Sequence, residues 1–569
     1  MSYHRDEVRA PRVAGLALKA FVRALESGVG PVLLEKLVKD SGIDAWRSSS
    51  SGDAPPVQCP LPHPPAPADR HSPVEQAARA VAAAPASNRE TVARFAAAYR
   101  EGLDPTAVIR RVHESIERLD GRDERLGLFI SRKQEEVLAA AEASSRRLRA
   151  GTPLSVLDGV PVALKDEVDL AGHVTTLGTR FRKDVATKDS AVAARLKAAG
   201  AVILGKLNMN EIGINPIGLN PWHGAARNPY DRKRITGGSS SASAAVVAAG
   251  VCPLSIGADG GGSIRIPAAL CGIVGLKATW GRIPETGVPP LCWNVGHVGP
   301  MGLTVDDVAA MYAVLAGPDD HDVISKLQPA AHLADYEKGS LAGVRLGICW
   351  PWFEDAATDV VAKCREAVKS LTDAGATVVE IEGPNLNTVL WTHSTLILSE
   401  MCQAMRGQIE RDVTQFGLDS RTNLAIGNHF TGTEYVHALR HRHAMTREWL
   451  ALMQTCDVVI TPSTAITAPY IPESSLPDGE SNLPVVDALM RFIRVANLTG
   501  FPAISVPAGF DREGMPVGVH LMARPYEEHL LFRLGRVIER NVDVRTPADH
   551  ALCLPLPAGE RVGERAVAP

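Results

Sequence analysis

The stretch Thr236–Pro267, TGGSSSASAAVVAAGVCPLSIGADGGGSIRIP, sets two glycine-rich loops on either side of a run of small apolar residues. Ser239 lies in the first loop and Ser263 in the second. Their separation is enough for a turn, a short helix and a buried strand, so the chain can leave one loop and return beside it. Upstream, Lys165 ends the apolar run of LDGVPVALKDEVD. Val160–Leu164 reads as a buried strand that carries the lysine at its end.

One lysine and two serines can form a hydrolytic relay that needs no histidine or metal. A serine hydroxyl is a weak nucleophile until a neighbour takes its proton, and a desolvated lysine can do so because burial disfavours its charged form. Gly260, Gly261 and Gly262 let the backbone approach a ligand closely and turn N–H groups toward a developing negative oxygen. Ser263 follows them directly and is the candidate nucleophile, with the N–H groups of Gly260, Gly261, Gly262 and Ser263 as the candidate oxyanion hole. Blander readings stand beside these. Lys165 can pair with Asp166 at the surface, the serines of the first loop can cap the helix suggested by Ala244–Gly250, and the second loop can be an ordinary glycine turn. Nucleotide binding is weakly supported, since the chain lacks GxxxxGK[ST] and a GxGxxG with a following acidic residue. Gly238–Ala242 narrowly misses the G-x-S-x-G elbow because it ends in Ala242. Spacing does not exclude a histidine base. His297 is the nearest candidate and reads as structural or substrate-contacting, while Arg265 reads as an internal partner for Asp259.

Together, LDGVPVALKD, TGGSSSASAAVVAAG and GADGGGSIRIPAALCGIVGLKAT resemble the amidase signature family, whose Ser-cisSer-Lys triad hydrolyses amide bonds. The resemblance implies Lys165 as general base, Ser239 as the bridging serine after a cis peptide and Ser263 as the acylated nucleophile. It also implies Gly213 and Ile214, with Ser239, as substrate contacts beside the scissile bond, made through backbone groups. VRAPRVAGLALKAFVRALES, LLEKLVKDSGI, DVVITPSTAITAPYIP and LMRFIRVANLTGFPAISVPAGFD extend the likeness to plant-type fatty acid amide hydrolases over nearly the whole chain. That implies cleavage of acyl amides such as N-acylethanolamines to acid and amine through an acyl-enzyme, with no cofactor or metal, in a homodimer. Ala242 stands where the family usually has glycine, and Ala258 where threonine is common. Other readings are a broad-specificity amidase, an aryl acylamidase or a carbamate hydrolase; further off lie a non-catalytic membrane-associated scaffold and an amidotransferase of the A type.

Composition suits a large enzyme. With 569 residues, 45% of them hydrophobic, the chain can bury a sizeable core, and a net charge of −4 without basic runs argues against a nucleic-acid partner. The expected fold is α/β, a large mixed twisted sheet surrounded by helices with an N-terminal helical extension. The expected organisation is a helical extension over 1–47, a Ser/Pro-rich linker over 48–76, one amidase signature domain over 77–555 and a tail over 556–569. In the extension, Leu18, Phe21, Val22 and Leu25, then Leu34, Leu37 and Val38, recur at helical spacing. This predicts two amphipathic helices packed on the parent domain or a dimer partner, with peripheral membrane contact as the alternative. Nine scattered cysteines without a C-x-x-C pair, a polar opening and no long apolar stretch point to the cytoplasm.

Overall fold

The computed structural model describes residues 2–8, 10–64, 71–84, 89–121, 124–476, 478–547, 550–551 and 553–555. Its centre is a mixed sheet of eleven strands. In chain order they are β1 (Phe129–Ser131), β2 (Pro161–Lys165), β3 (Val202–Leu207), β4 (Leu254–Ala258), β5 (Val274–Lys277), β6 (Val298–Gly302), β7 (Arg345–Ile348), β8 (Thr377–Glu380), β9 (Val458–Pro462), β10 (Ala503–Phe510) and β11 (Pro516–Ala523). Across the sheet they run β8-β7-β9-β11-β10-β5-β6-β4-β2-β3-β1. The middle strands are short apolar runs buried along their whole length, PVALK, LSIGA and VVITP among them. Strands of that kind need cover on both faces, which the surrounding helices supply. The resulting core joins Val162, Leu164, Ile256, Val458 and Leu521 of the strands to Tyr312, Phe353 and Leu531 of the helices.

Strand direction creates the site. β2 runs parallel to both β3 and β4, with Leu164 opposite Ile256. Their carboxyl ends therefore lie side by side, the place where an open α/β sheet leaves a crevice for ligands. β6 runs antiparallel to β4 and sets Val298 opposite Ala258, which brings the loop before β6 to the same end.

The N-terminal extension holds three helices, Gly15–Leu25, Gly30–Asp40 and Ile43–Arg47, one more than the apolar spacing predicts. The break falls at Gly28–Gly30, and Pro31 opens the second helix where its missing N–H costs nothing. Leu18, Val22, Leu25, Leu34 and Val38 are buried as expected. Leu37 is not: it lies outside with Leu16, Val29 and Val32. Ion pairs Lys19–Asp478 at 2.8 Å and Arg12–Glu480 at 2.5 Å fasten the extension to the main body.

The Ser/Pro-rich stretch is pinned along its first half. Ser49 Oγ meets His441 Nε2 at 3.0 Å, Arg440 donates to the carbonyls of Gly52 and Ala54, and His443 Nδ1 meets the Val57 carbonyl at 3.0 Å. A helix already starts at Pro73, inside the segment read as linker, because Ser72 and Glu75 form a capping box. The tail over 556–569 lies outside the described residues.

Candidate active site

Lys165 is the last residue of β2 and is 1% exposed. Its Nζ donates to Ser239 Oγ at 2.9 Å and to the Ala258 carbonyl at 3.3 Å. The surface pairing with Asp166 does not occur. Asp166 instead pairs with the buried Lys206 at 2.9 Å, and Glu167 Oε2 lies 2.7 Å from Lys165 Nζ. Residues 165 and 167 are two apart, so as the strand ends they face the same side.

The first serine loop is stapled rather than capping. The Gly238–Ser239 peptide is cis. Ser240 Oγ donates to the Ala258 carbonyl and accepts from the Ala258 N–H, at 3.1 and 3.2 Å. Ser243 Oγ donates to the Ile256 carbonyl at 3.0 Å. The helix Ser241–Ala248 starts without any side-chain cap bond. Small residues at this position let the helix lie flat against β4, and a Cβ on Gly257 would come within 3.0 Å of Ser240 Oγ.

The second loop is organised by Asp259. Its carboxylate accepts from Gly262 N–H at 2.7 Å, Ile264 N–H at 3.1 Å, Arg265 Nε and Nη2 at 3.0 Å each and Asn497 Nδ2 at 2.8 Å. Burial alone would raise this carboxyl, but the adjoining Arg265 guanidinium holds it well below the usual range. One expectation is corrected here: the Gly262 N–H is directed at Asp259, not into the cleft. The Ser240 N–H donates to the Ser263 carbonyl at 3.3 Å and ties the two loops together.

Lys165, Glu167, Gly213, Ser239, Gly260, Ser263 and Glu285 border one cleft. Gly213 has φ +71°, and a Cβ there would stand 3.3 Å from Ser239 Oγ. Ile214 is not among the residues that line this cleft; its side chain packs against the apolar cluster that includes Leu177, Met401 and Phe416. Val288, Leu291, Trp293, Ile397 and Met401 supply apolar lining. His297 borders the cleft but touches no serine: Nδ1 meets the Val295 carbonyl at 2.9 Å and Nε2 meets Lys277 Nζ at 3.2 Å. Burial, then the Lys277 charge, push the imidazole well below its ordinary value, so it is a poor base. Among the described residues no cluster of side chains could hold a metal ion.

Sequence reasoning missed Glu167, Glu285 and Cys292 as cleft residues. The first could have been found from its two-residue offset from Lys165. The others reach the cleft only through the β4–β6 pairing.

Comparison with known proteins agrees with this geometry. The family model described as Amidase matches residues 110–532. The chain is 36% identical to the fatty acid amide hydrolase of Arabidopsis thaliana, over 95% of this chain and 94% of that one. It is 34% identical to a glutamyl-tRNA(Gln) amidotransferase component of Chloroflexus aggregans, over 75% of this chain and 92% of the other. Among solved structures, the native peptide amidase of Stenotrophomonas maltophilia superposes with a TM-score of 0.69 at 26% identity, covering 80% of this chain and 98% of that one. The matched segment carries both serine loops and the lysine strand, and the chain belongs to the amidase signature family of amide-hydrolysing enzymes.

Proposed function

We propose that this enzyme hydrolyses acyl amides, fatty acid amides such as N-acylethanolamines among them, through a Ser-cisSer-Lys relay and a covalent acyl-enzyme. The carrying observation is the 2.9 Å contact of Lys165 Nζ with Ser239 Oγ at the edge of a cleft that Ser263 also borders. Neutral Lys165 takes a proton from Ser239 as Ser239 takes one from Ser263, and the Ser263 oxygen attacks the amide carbon. The carbonyl oxygen becomes an oxyanion held by N–H groups of Gly260, Gly261 and Ser263, with Gly262 kept in place by Asp259. The relay then runs backward: Ser239 protonates the departing nitrogen, the C–N bond breaks and the amine leaves. Water, deprotonated by the same relay, hydrolyses the ester.

The acyl half is read as a lipid chain from two supports. One is the likeness to the Arabidopsis thaliana enzyme over 95% of the chain. The other is the apolar lining of Leu291, Trp293, Ile397 and Met401, since each buried methylene contributes about 0.8 kcal/mol. No described helix is long and apolar enough to cross a membrane, but Leu16, Val29 and Val32 are exposed on the N-terminal extension, Val32 beside Lys36 and Lys39. Such a face suits peripheral contact with a bilayer that holds lipid substrate, and vesicle co-sedimentation of wild type against Val32→Glu tests it. A homodimer is the expected assembly, checked by sedimentation velocity. The substrate reading is tested by amine release from N-acylethanolamines of increasing acyl length, beside short aryl amides and carbamates. Rates that rise with chain length support it, and faster turnover of the short aryl amides or carbamates overturns the lipid assignment.

A further inference from the structure

The charges around the cleft do not balance. Asp259 is paired with Arg265, and Glu167 lies 2.7 Å from Lys165 Nζ, the proton acceptor of the relay. Glu285 also borders the cleft, and among the described residues no lysine, arginine or histidine forms an ion pair with it. Its nearest charged neighbours are acidic: burial first, then Asp322 and Glu167, push its carboxyl up to about 8. Cys292, which lines the same cleft, feels both Glu167 and Glu285, so the two carboxyls flank one region. A carboxyl left without a cation beside a reacting centre is costly unless the ligand brings one.

The relay fixes which half of the substrate meets this region. The departing nitrogen must take its proton from Ser239, so the amine half leaves past Lys165 and Glu167, while the carbonyl oxygen faces the glycine N–H groups. Glu167 Oε2 would lie 3.9 Å from a Cβ on Gly213, next to Ser239, so Glu167 edges the cleft at the relay. Val288 and Pro289 follow Glu285 on the same loop and offer an apolar surface to a short alkyl spacer.

We propose that Glu285 determines specificity for the amine half: the cleft prefers acyl amides whose departing amine carries a second, protonated amino group, that is, N-acylated short diamines. This rests on the acyl amide hydrolase reading above. Neutral amine halves bring no cation to Glu285, and anionic ones bring a like charge.

The test holds one acyl chain constant on three amine halves, 2-aminoethyl, 2-hydroxyethyl and carboxymethyl, at pH 8.5. Wild type is expected to show kcat/KM at least tenfold higher for the 2-aminoethyl amide than for the 2-hydroxyethyl amide, with the carboxymethyl amide slowest. In Glu285→Gln that ratio should fall below threefold, and Glu285→Lys should move the preference toward the carboxymethyl amide. Wild-type rates within threefold of one another overturn the inference while leaving amide hydrolysis intact, as does a ratio unchanged in Glu285→Gln. Equal loss on all three substrates in Glu285→Gln marks a structural role and also overturns it. Hydrolysis of none of the three by wild type overturns the underlying reading, and this inference with it.

Discussion

Replacing Asp259 by asparagine tests how the second serine loop is held. The carboxylate takes five hydrogen bonds, two from the fully buried Arg265. An amide keeps one acceptor. With Oδ1 retained toward Gly262, Arg265 Nη2 and Asn497, the new NH2 faces the Ile264 N–H and Arg265 Nε, donor against donor, and the guanidinium loses its counter-charge. Breaking a buried pair from one side costs about 3–5 kcal/mol. Unfolding entropy of roughly 2.1 cal/mol/K per residue over 569 residues is about 1.2 kcal/mol/K, so Tm should fall by roughly 3–4 °C if the chain unfolds as one unit. Activity should fall further, because the Ile264 N–H next to Ser263 loses its acceptor and the neighbouring oxyanion donors lose their alignment, an effect worth roughly 10²–10³ in kcat. Differential scanning fluorimetry and amide hydrolysis on the same preparation read both. A Tm within 1 °C of wild type, together with kcat/KM within threefold, would refute the reasoning.

Three further outcomes are expected. Ser239→Ala removes the group that Lys165 Nζ contacts at 2.9 Å, so kcat should fall by roughly 10²–10⁴ with circular dichroism unchanged, and turnover near wild type would exclude the relay. Gly262→Ala places a methyl group 2.4 Å from Ile493 Cγ2 at φ +114°, so both Tm and activity should drop, whereas a neutral variant would mean that the loop adapts freely. Glu211 is buried, and burial, with the Asp419 charge adding to it, pushes its carboxyl up to about 7, above the unfolded value of roughly 4.3. The native state therefore keeps a proton that the unfolded chain has released. That stabilising contribution is fully present below the unfolded value and is lost as pH rises through 7. Between pH 5 and 8 the wild-type Tm should fall more steeply than that of Glu211→Gln, and parallel curves would contradict the assignment.

The residues proposed to carry the chemistry were legible where local sequence alone specifies their placement. Lys165, Ser239 and Ser263 sit in motifs whose glycines and small side chains are dictated by close backbone approach, so motif and geometry agree. The Asp259–Arg265 pair was legible for the same reason, being six residues apart in one loop. Glu167 was overlooked because Asp166 adjoins Lys165 in sequence, although alternation along a strand turns Asp166 away toward Lys206. Glu285 had no local signal: it reaches the cleft through the loop that leads to β6, far from either serine motif in the chain. Composition misjudged the start of the Ser/Pro-rich segment, because what pins it is Arg440, His441 and His443 on a helix almost four hundred residues later. Leu37 fitted the helical stripe by spacing, but the stripe is narrower than the spacing allows and leaves it outside.

The central claim is that Ser263 carries the acyl group. Its most direct measurement is intact-protein mass spectrometry after reaction with a fluorophosphonate, with peptide mapping of the adduct, on wild type, Ser263→Ala and Ser239→Ala. The account predicts a single adduct on Ser263 in wild type, none in Ser263→Ala, and slowed labelling of Ser263 in Ser239→Ala. An adduct on Ser239 in wild type, or undiminished labelling of Ser263→Ala, would contradict it.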